Sequence, residues 1–231
     1  MNYKKIVKAK FIERPNRFIA YCEVDGNIEK VHVKNTGRCR ELLIPECTVY
    51  LEESDNPNRK TKYSLISVEK GKRIINMDSQ VPNKVVYEGL KNNKIKLPGI
   101  SEEITLIKPE KTYGNSRFDI YLEAGNKKAF IEVKGVTLEE DNIVKFPDAK
   151  TERGVKHINE LIEASKDGYY CYILFLIQMD NVLYFTPNKE MHKELGDALI
   201  KAKNNGVEIL AYDSIVKIGS ININEKIKVV L

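Results

Sequence analysis

The sequence predicts an α/β protein with a small N-terminal β-barrel of the OB type and a larger α/β domain with a mixed central sheet. Five short strand patterns, separated by turn-forming residues, occupy residues 1–80. From residue 81 onward, amphipathic helical patterns alternate with apolar strand patterns. Short successive strands favour a closed barrel, and strands alternating with helices favour a sheet covered by helices. We therefore predict two domains, residues 1–80 and 81–231.

The first domain opens with a predicted β-hairpin. Residues 17–24 and 28–34 have strand character and flank the Asp25-Gly26 pair, which favours a tight turn. Residues 38–43 predict one or two helical turns. The remaining strands of this domain are predicted at residues 47–53, 61–69 and 72–77.

In the second domain, predicted helices alternate with strands. A helix over residues 149–166 is amphipathic, and Asp148 is its predicted N-cap. Residues 169–178 are almost continuously apolar, which is typical of a strand buried on both faces. The other helices are predicted at residues 81–92 and 188–203, and the other strands at 104–108, 117–123, 128–134 and 207–213.

Composition indicates a globular cytoplasmic protein. Of the 231 residues, 42% are hydrophobic and 31% are charged, which argues against an intrinsically disordered chain. No segment approaches the roughly 18 consecutive apolar residues of a transmembrane helix, and the basic start lacks the apolar core of a signal peptide. The four cysteines form no CxxC pair, which argues against a zinc site. We expect no membrane contact.

The positive charge is concentrated in the first domain. Residues 1–80 contain 16 Lys and Arg against 11 Asp and Glu, whereas residues 81–231 contain 22 of each. A basic module beside a neutral one suits a polyanion such as nucleic acid, although ordinary solvated lysines would give the same count. Arg38 and Arg40 are the candidates for phosphate contact in this domain. Candidates for base stacking are Phe18, Tyr21, Tyr50 and Tyr63, although most aromatics in such strands are core residues.

Three charged residues on neighbouring strands form the candidate catalytic site. Asp119 lies in the strand at 117–123, and Glu132 and Lys134 lie two apart in the strand at 128–134. Because side chains alternate along a strand, Glu132 and Lys134 point to the same face. The short connection makes the strands antiparallel neighbours, so Asp119 can lie across from Glu132. Two carboxylates and an ammonium group are expected to converge there.

This grouping suits metal-dependent hydrolysis of a phosphodiester. Two carboxylates can hold Mg²⁺ (or Mn²⁺), with the main-chain carbonyl of Val133 as a further ligand. A lysine beside the ion can orient the attacking water or stabilise negative charge in the transition state. By spacing alone, a solvated sheet face is the favoured explanation of the pattern. Against that, charges on a central strand among apolar segments are costly unless they are paired or bind metal.

The predicted helix at 149–166 adds a basic cluster. Lys150, Arg153 and His157 have the spacing i, i+3 and i+7, which places them on one helical face. Such a face beside a metal centre can bind the phosphate backbone, whereas a solvated helix face is the simpler alternative. The chain contains no recognisable nucleophile motif, GxGxxG, Walker A or HExxH pattern.

Several strings, read in order, resemble the sugar fermentation stimulation protein family, SfsA. They run from Phe11 to Phe18 (FIERPNRF), His32 to Leu42 (HVKNTGRCREL), Tyr113 to Asp119 (YGNSRFD), Ile131 to Leu138 (IEVKGVTL), Phe146 to His157 (FPDAKTERGVKH) and Gly206 to Tyr212 (GVEILAY). The resemblance covers nearly the full chain. It implies an OB-like domain followed by a domain similar to restriction endonucleases, whose motif is PD-(D/E)xK.

Within that motif, Asp119 and the Glu-Val-Lys at residues 132–134 match residue by residue. Phe118 stands where the generic motif has proline. A further acidic residue often joins such sites from an upstream element, and Glu110 and Glu88 are the candidates here. The family has been described as DNA-binding and is named for an effect on sugar metabolism, and that regulatory label rests on the resemblance only.

The sequence thus predicts a DNA-binding protein with a divalent-metal-dependent nuclease-type centre. The alternative is a non-catalytic DNA-binding regulator of sugar metabolism on the same fold. RNA as the partner and a homodimeric state both stay open.

Overall fold

The computed structural model describes residues 1–35 and 37–231. Its first part is a six-stranded sheet in the order β3-β2-β1-β4-β5-β6. The strands are β1 (Ile6–Asn16), β2 (Ile19–Val24), β3 (Asn27–Val33), β4 (Thr48–Glu53), β5 (Tyr63–Lys70) and β6 (Arg73–Asn76). A parallel pairing of β3 with β5 closes β1 to β5 into a barrel, which confirms the OB-type prediction.

The composition of the barrel differs from the prediction in its first strand. β1 was not predicted, although its buried Ala9 and Phe11 alternate with the exposed Lys8 and Lys10. The many basic residues of this segment made its alternation of buried and exposed positions hard to recognise in the sequence. The segment 72–77, predicted as a barrel strand, contributes β6, which pairs only with β5 outside the closed ring.

The barrel contains the predicted helical turn and all four aromatic candidates. Residues 38–43 form a single turn and not two: the N–H groups of Leu42 and Leu43 both donate to the carbonyl of Cys39. Among the aromatic candidates, Tyr50 and Tyr63 are buried in the barrel. Phe18, by contrast, is 48% exposed and is free to contact a ligand.

The second part is a nine-stranded mixed sheet in the order β10-β11-β13-β15-β14-β12-β9-β8-β7. Its elements are α1 (Val81–Lys91), β7 (Ile104–Tyr113), β8 (Ser116–Ala124), β9 (Lys127–Val136), β10 (Leu138–Glu140), β11 (Ile143–Phe146), α2 (Glu152–Lys166), β12 (Tyr170–Ile177), β13 (Tyr184–Pro187), α3 (Lys193–Asn204), β14 (Val207–Lys217) and β15 (Ser220–Val229). β7, β8 and β9 form an antiparallel meander, and β9, β12 and β14 are parallel. The predicted mixed α/β sheet is thereby confirmed.

Helices cover both faces of this sheet. α1 packs on one face, over a core that includes Leu122 and Leu174, while α2 and α3 pack on the other, over a core that includes Phe130 and Phe175. β12 lies between β9 and β14, and its residues from Cys171 to Ile177 are all buried. This central position explains the continuous apolar run in its sequence. The described residues include no helix long and apolar enough to cross a membrane.

The start of α2 differs from the prediction. The N-cap is Thr151, whose hydroxyl accepts a hydrogen bond from the N–H of Gly154, so Asp148 is not the cap. The carboxylate of Asp148 instead accepts a hydrogen bond from the N–H of Arg38 in the barrel, at 3.1 Å. Lys150 therefore precedes the helix. Four strands, β10, β11, β13 and β15, had no counterpart in the prediction.

Polar contacts join the barrel to the second domain. The side-chain amide of Gln178 donates to the side chain of Asn76 at 2.8 Å and to the carbonyl of Asp78 at 3.1 Å. Within the first domain, Lys34 pairs with the buried carboxylate of Asp78 at 3.2 Å. Gly135, which follows Lys134 on β9, packs directly on Gln178. The contacts of Gln178 therefore bring the end of the barrel next to the last residues of β9.

Candidate functional site

The structure brings Asp119, Glu132 and Lys134 together on two adjacent strands. Ile120 on β8 pairs with Ile131 on β9, so the next residues along the register, Asp119 and Glu132, lie across from each other. The ammonium group of Lys134 lies 2.6 Å from Oε1 of Glu132. The predicted convergence of two carboxylates and one cation therefore exists in the folded chain.

Glu132 is the most deeply buried member of the group, with 2% of its surface exposed. Its Oε1 accepts hydrogen bonds from Lys134 and from Nδ1 of His157, the latter at 2.5 Å. Its Oε2 is also buried but has no hydrogen-bond partner among the described residues. A buried carboxylate oxygen without a partner is costly, so a ligand that contacts this atom would be stabilised.

Asp119 is held by one contact on each oxygen. Oδ1 accepts a hydrogen bond from the side-chain amide of Asn83 on α1, and Oδ2 accepts one from the main-chain N–H of Val133, both at 2.8 Å. These bonds fix the carboxylate beside Glu132. Sequence reasoning did not find Asn83, because nothing in the helical pattern distinguishes it from a solvated residue.

Burial and charge act differently on the two carboxyl groups. Burial and the neighbouring Glu132 raise the pKa of Asp119 above its ordinary value. Burial also acts to raise the pKa of Glu132, but the hydrogen bonds from His157 and Lys134 and the charge of Lys134 outweigh it and leave that pKa lowered. Glu132 is thus ionised at neutral pH, while ionisation of Asp119 adds a second negative charge that is poorly compensated. A cation bound between them would remove that penalty.

The three residues of the predicted basic cluster on α2 lie in different surroundings. His157 is 7% exposed and points inward to Glu132, so its geometry suits holding that carboxylate rather than contact with a phosphate backbone. Arg153 is exposed, and its Nε donates to Nε2 of His157 at 3.4 Å. Lys150 is exposed in the segment before the helix.

Arg38 and Arg40 lie at a groove on the surface of the barrel. The groove has a volume of about 390 Å³ and is also lined by Arg14 and Arg17, so four arginines surround it. The guanidinium of Arg17 lies over the ring of Phe18, 5.2 Å from its centroid. The contact between Arg38 and Asp148 sets this groove beside the segment that leads into α2.

The guanidinium of Arg14 fixes the loop that carries these arginines. Its two terminal nitrogens donate to the carbonyls of Gly37, Arg38, Arg17 and Asn35 at 2.6 to 3.0 Å. No sequence pattern distinguishes Arg14 from the other basic residues, since its partners are main-chain atoms.

The two candidates for an additional acid lie in different surroundings. Glu110 on β7 is in register with Asp119, but its side chain is 61% exposed and pairs with Arg117 at 3.4 Å. Glu88 on α1 pairs with the N-terminal amine at 3.0 Å and does not join the group. Across the described residues, no three His, Cys, Asp or Glu side chains form a metal-binding cluster, so a cation here would need main-chain oxygen or water as well.

Comparison with known proteins identifies the family. The family model described as the sugar fermentation stimulation protein RE domain matches residues 80–219, and the one described as the SfsA N-terminal OB domain matches residues 12–77. The sugar fermentation stimulation protein homolog of Clostridium beijerinckii is 61% identical over 232 residues, covering 100% of both chains. That of Ruminiclostridium cellulolyticum is 56% identical over 229 residues, covering 99% of both.

A solved structure agrees with these relatives. SfsA of Pyrococcus furiosus in complex with Ca²⁺ is 29% identical and superimposes with a TM-score of 0.89, covering 100% of this chain and 98% of that one. Both domains of the chain, in the same order, are therefore shared with this protein. By family models, relatives and fold alike, the chain belongs to the sugar fermentation stimulation protein (SfsA) family.

Proposed function

We propose that this protein is a divalent-metal-dependent nuclease that acts on DNA through Asp119, Glu132 and Lys134. The observation that carries the proposal is the buried Oε2 of Glu132, which has no partner among the described residues and belongs to the residue that lies across from Asp119 in the strand register. A buried oxygen without a protein partner is commonly satisfied by a bound ion or an ordered water. Two carboxylates facing each other at that point are typical ligands of a hard divalent cation.

The residues present fit Mg²⁺ or Mn²⁺. Asp119 and Glu132 would supply side-chain oxygens, and Val133 would supply its carbonyl. The N–H and C=O of one residue in a strand point to the same side, and the N–H of Val133 points to Asp119. When bound, the ion would activate water and neutralise charge on the phosphate. The Ca²⁺ in the structure of the Pyrococcus furiosus protein supports a divalent cation in this family.

Lys134 supplies the positive charge of the proposed site. Its ammonium group is held by Oε1 of Glu132 at 2.6 Å and stays partly exposed, so it can meet a phosphate that enters from solvent. A fixed cation stabilises the negative charge that develops on the phosphate oxygens during phosphodiester cleavage. Glu132 thus orients the lysine through one oxygen and leaves the other for the metal.

The arginine groove on the barrel is the proposed contact for the nucleic-acid backbone. Arg38 and Arg40 are exposed there, and neither forms a salt bridge within the described part of the chain. Unpaired guanidinium groups suit phosphate recognition. Arg153 lies on the α2 side of the centre, so a strand bound by the groove and by Arg153 would pass close to Glu132.

Cleavage of labelled single-stranded, duplex and branched DNA in Mg²⁺ or Mn²⁺ tests the proposal. We expect the wild type to cut at least one form and Asp119→Ala to cut none. Asp197→Asn on α3 is the matched control, because this exposed carboxylate has no ion pair in the described residues and is expected to leave cleavage unchanged. Failure of the wild type to cut any form, or equal cutting by Asp119→Ala, would refute the nuclease.

A second candidate function is a non-catalytic DNA-binding regulator. The arginine groove favours it, because the groove lies on the barrel and uses none of the three residues of the centre. In that case Asp119→Ala would bind DNA as tightly as the wild type and neither protein would cleave it. Competition between single-stranded DNA and RNA of the same sequence would show which nucleic acid the groove prefers.

A further inference from the structure

His157 forms the inner end of a hydrogen-bonded chain that reaches the surface. Its Nδ1 lies 2.5 Å from Oε1 of Glu132, and its Nε2 lies 3.4 Å from Nε of Arg153, one helical turn away on α2. The ring is 7% exposed and meets the ring of Phe118 edge-on, at 86° and 6.5 Å between centroids. Packing therefore holds the imidazole in one orientation.

The partners determine which ring nitrogen carries the proton. The Nε of arginine can only donate, so Nε2 of His157 accepts and Nδ1 carries the hydrogen that Glu132 receives. Arg153 thus sets the tautomer in which the imidazole donates to the carboxylate. Hydrogen bonding of the second ring nitrogen commonly fixes the tautomer and orientation of a histidine in this way.

The contact with His157 also determines which oxygen of Glu132 is available to a ligand. Oε1 receives two donors, from His157 and from Lys134, while Oε2 receives none from the described residues. The carboxylate is therefore held through Oε1, and Oε2 is available to a ligand. Without His157, rotation of the carboxyl group would let Lys134 bond either oxygen, and the free oxygen would no longer have a fixed position.

Arg153 adds a link to the surface. Its terminal amino groups have no carboxylate within salt-bridge distance among the described residues, although its Nε is engaged by His157. The same guanidinium can therefore contact a phosphate with its outer nitrogens while its inner nitrogen bonds His157. Through His157, Arg153 therefore connects a phosphate bound at the surface to the carboxylate of Glu132.

We propose that His157 is a positioning residue that holds Glu132 as a single-oxygen ligand of a divalent cation, and that Arg153 holds His157 in the donating tautomer. This inference rests on the proposed function, since it assigns the ligand role to Glu132. Partners that orient a metal ligand typically contribute about 10- to 100-fold to metal affinity. We expect His157→Ala to weaken Mn²⁺ binding by an amount in that range.

Mn²⁺ affinity of the full chain, measured by calorimetry without nucleic acid, tests the inference. The amide of asparagine superimposes on Nδ1 of histidine and that of glutamine on Nε2, so His157→Asn retains the donor and His157→Gln loses it. We expect His157→Asn to bind Mn²⁺ within a few-fold of the wild type and more tightly than His157→Gln and His157→Ala. His32→Asn on β3 is the control for exchanging a histidine and is expected to bind as the wild type does.

The outcomes separate this inference from the proposed nuclease. Equal Mn²⁺ affinity of folded His157→Ala and the wild type would overturn the positioning role. Equal Mn²⁺ affinities of His157→Asn and His157→Gln would also overturn it. The comparison of these two variants decides the matter if His157→Ala fails to fold. A wild type that binds Mn²⁺ with the expected order of variants but cleaves no DNA would support the positioning role and refute the nuclease. Absence of Mn²⁺ binding by the wild type would overturn both.

Discussion

The carboxylate of Asp119 accepts a hydrogen bond from the main-chain N–H of Val133 at 2.8 Å. The bond lies just beyond Ile120 and Ile131, the last pair of the ladder between β8 and β9. A side chain of one strand is thus tied to the backbone of the next, between the two residues, Glu132 and Lys134, that complete the centre. Asp119 therefore cannot move without disturbing the segment that carries its neighbours.

Replacement of Asp119 by asparagine is expected to stabilise the metal-free protein. The variant keeps the side-chain volume, and the amide of Asn83 can turn over to keep its hydrogen bond. Because folding raises the pKa of Asp119, its stabilising contribution is complete at pH values below the ordinary aspartate pKa and is lost as pH rises through the raised value. Each unit of such a shift corresponds to about 1.4 kcal/mol.

Chemical denaturation in EDTA at several pH values measures this effect. The free energy of unfolding of Asp119→Asn should exceed that of the wild type at neutral pH. The difference should shrink as the pH falls through the raised pKa of Asp119 and should become constant below the ordinary aspartate pKa. A variant that is less stable than the wild type throughout this range would show that Asp119 carries no electrostatic penalty.

Addition of Mn²⁺ is expected to stabilise the wild type. A ligand at 100 times its Kd stabilises the folded state by about 2.7 kcal/mol, which for a chain of this size raises Tm by roughly 5–11 °C. Asp119→Asn and Glu132→Gln should lose most of this rise, whereas the control Asp197→Asn should keep it. Thermal unfolding monitored by circular dichroism measures the shift, and a rise of equal size in all four proteins would place the bound ion elsewhere.

Charge reversal at Arg38 or Arg40 is expected to weaken binding of single-stranded DNA. Each phosphate contact that is lost reduces the slope of log K against log salt by about 0.7. Binding in EDTA at several salt concentrations measures both effects. Lys94→Glu is the control, because Lys94 lies beyond the C-terminal end of α1 whereas Asn83, which contacts Asp119, lies in the first turn. If Lys94→Glu reduced affinity as much as Arg38→Glu, the effect would reflect overall charge and not the groove.

Arg14→Ala is expected to destabilise the barrel and to weaken DNA binding together. The substitution removes the donors to four main-chain carbonyls, and hydrogen bonds to a charged group contribute about 1.5–3 kcal/mol. Arg14→Lys should restore little, because an ammonium group lacks the planar fork that reaches these carbonyls. Urea denaturation and Mn²⁺ calorimetry check this: stability should fall while Mn²⁺ affinity stays unchanged, and a full rescue by lysine would contradict the explanation.

The geometry of the centre could be predicted from the sequence because it is local. Asp119, Glu132 and Lys134 lie on strands joined by a short turn, and side-chain alternation alone determines which of them share a face. The same local reasoning recovered β12, since a strand covered on both faces must be apolar throughout.

The surroundings of the centre could not be predicted, because they depend on contacts between distant segments. Helical spacing placed His157 and Arg153 near each other, but only the packing of α2 on the sheet shows that His157 points inward to Glu132. Asn83 and Arg14 gave no signal, since each acts through a partner far along the chain or in the backbone. The short strands β10, β11 and β13 were missed for the same reason: at three or four residues each, they depend on neighbours in the sheet rather than on a pattern of their own.

The Mg²⁺ dependence of DNA cleavage by the wild type and by Glu132→Gln tests the central claim most directly. The substitution keeps the volume and an acceptor for His157 but removes the charge and one carboxylate oxygen at the site. We predict that wild-type cleavage rises with Mg²⁺ to saturation, and that Glu132→Gln, folded as shown by circular dichroism, is slower by at least about 100-fold, as expected when a group that stabilises the transition state is lost. Cleavage by Glu132→Gln at the wild-type rate and with the same Mg²⁺ dependence would contradict the assignment of the centre.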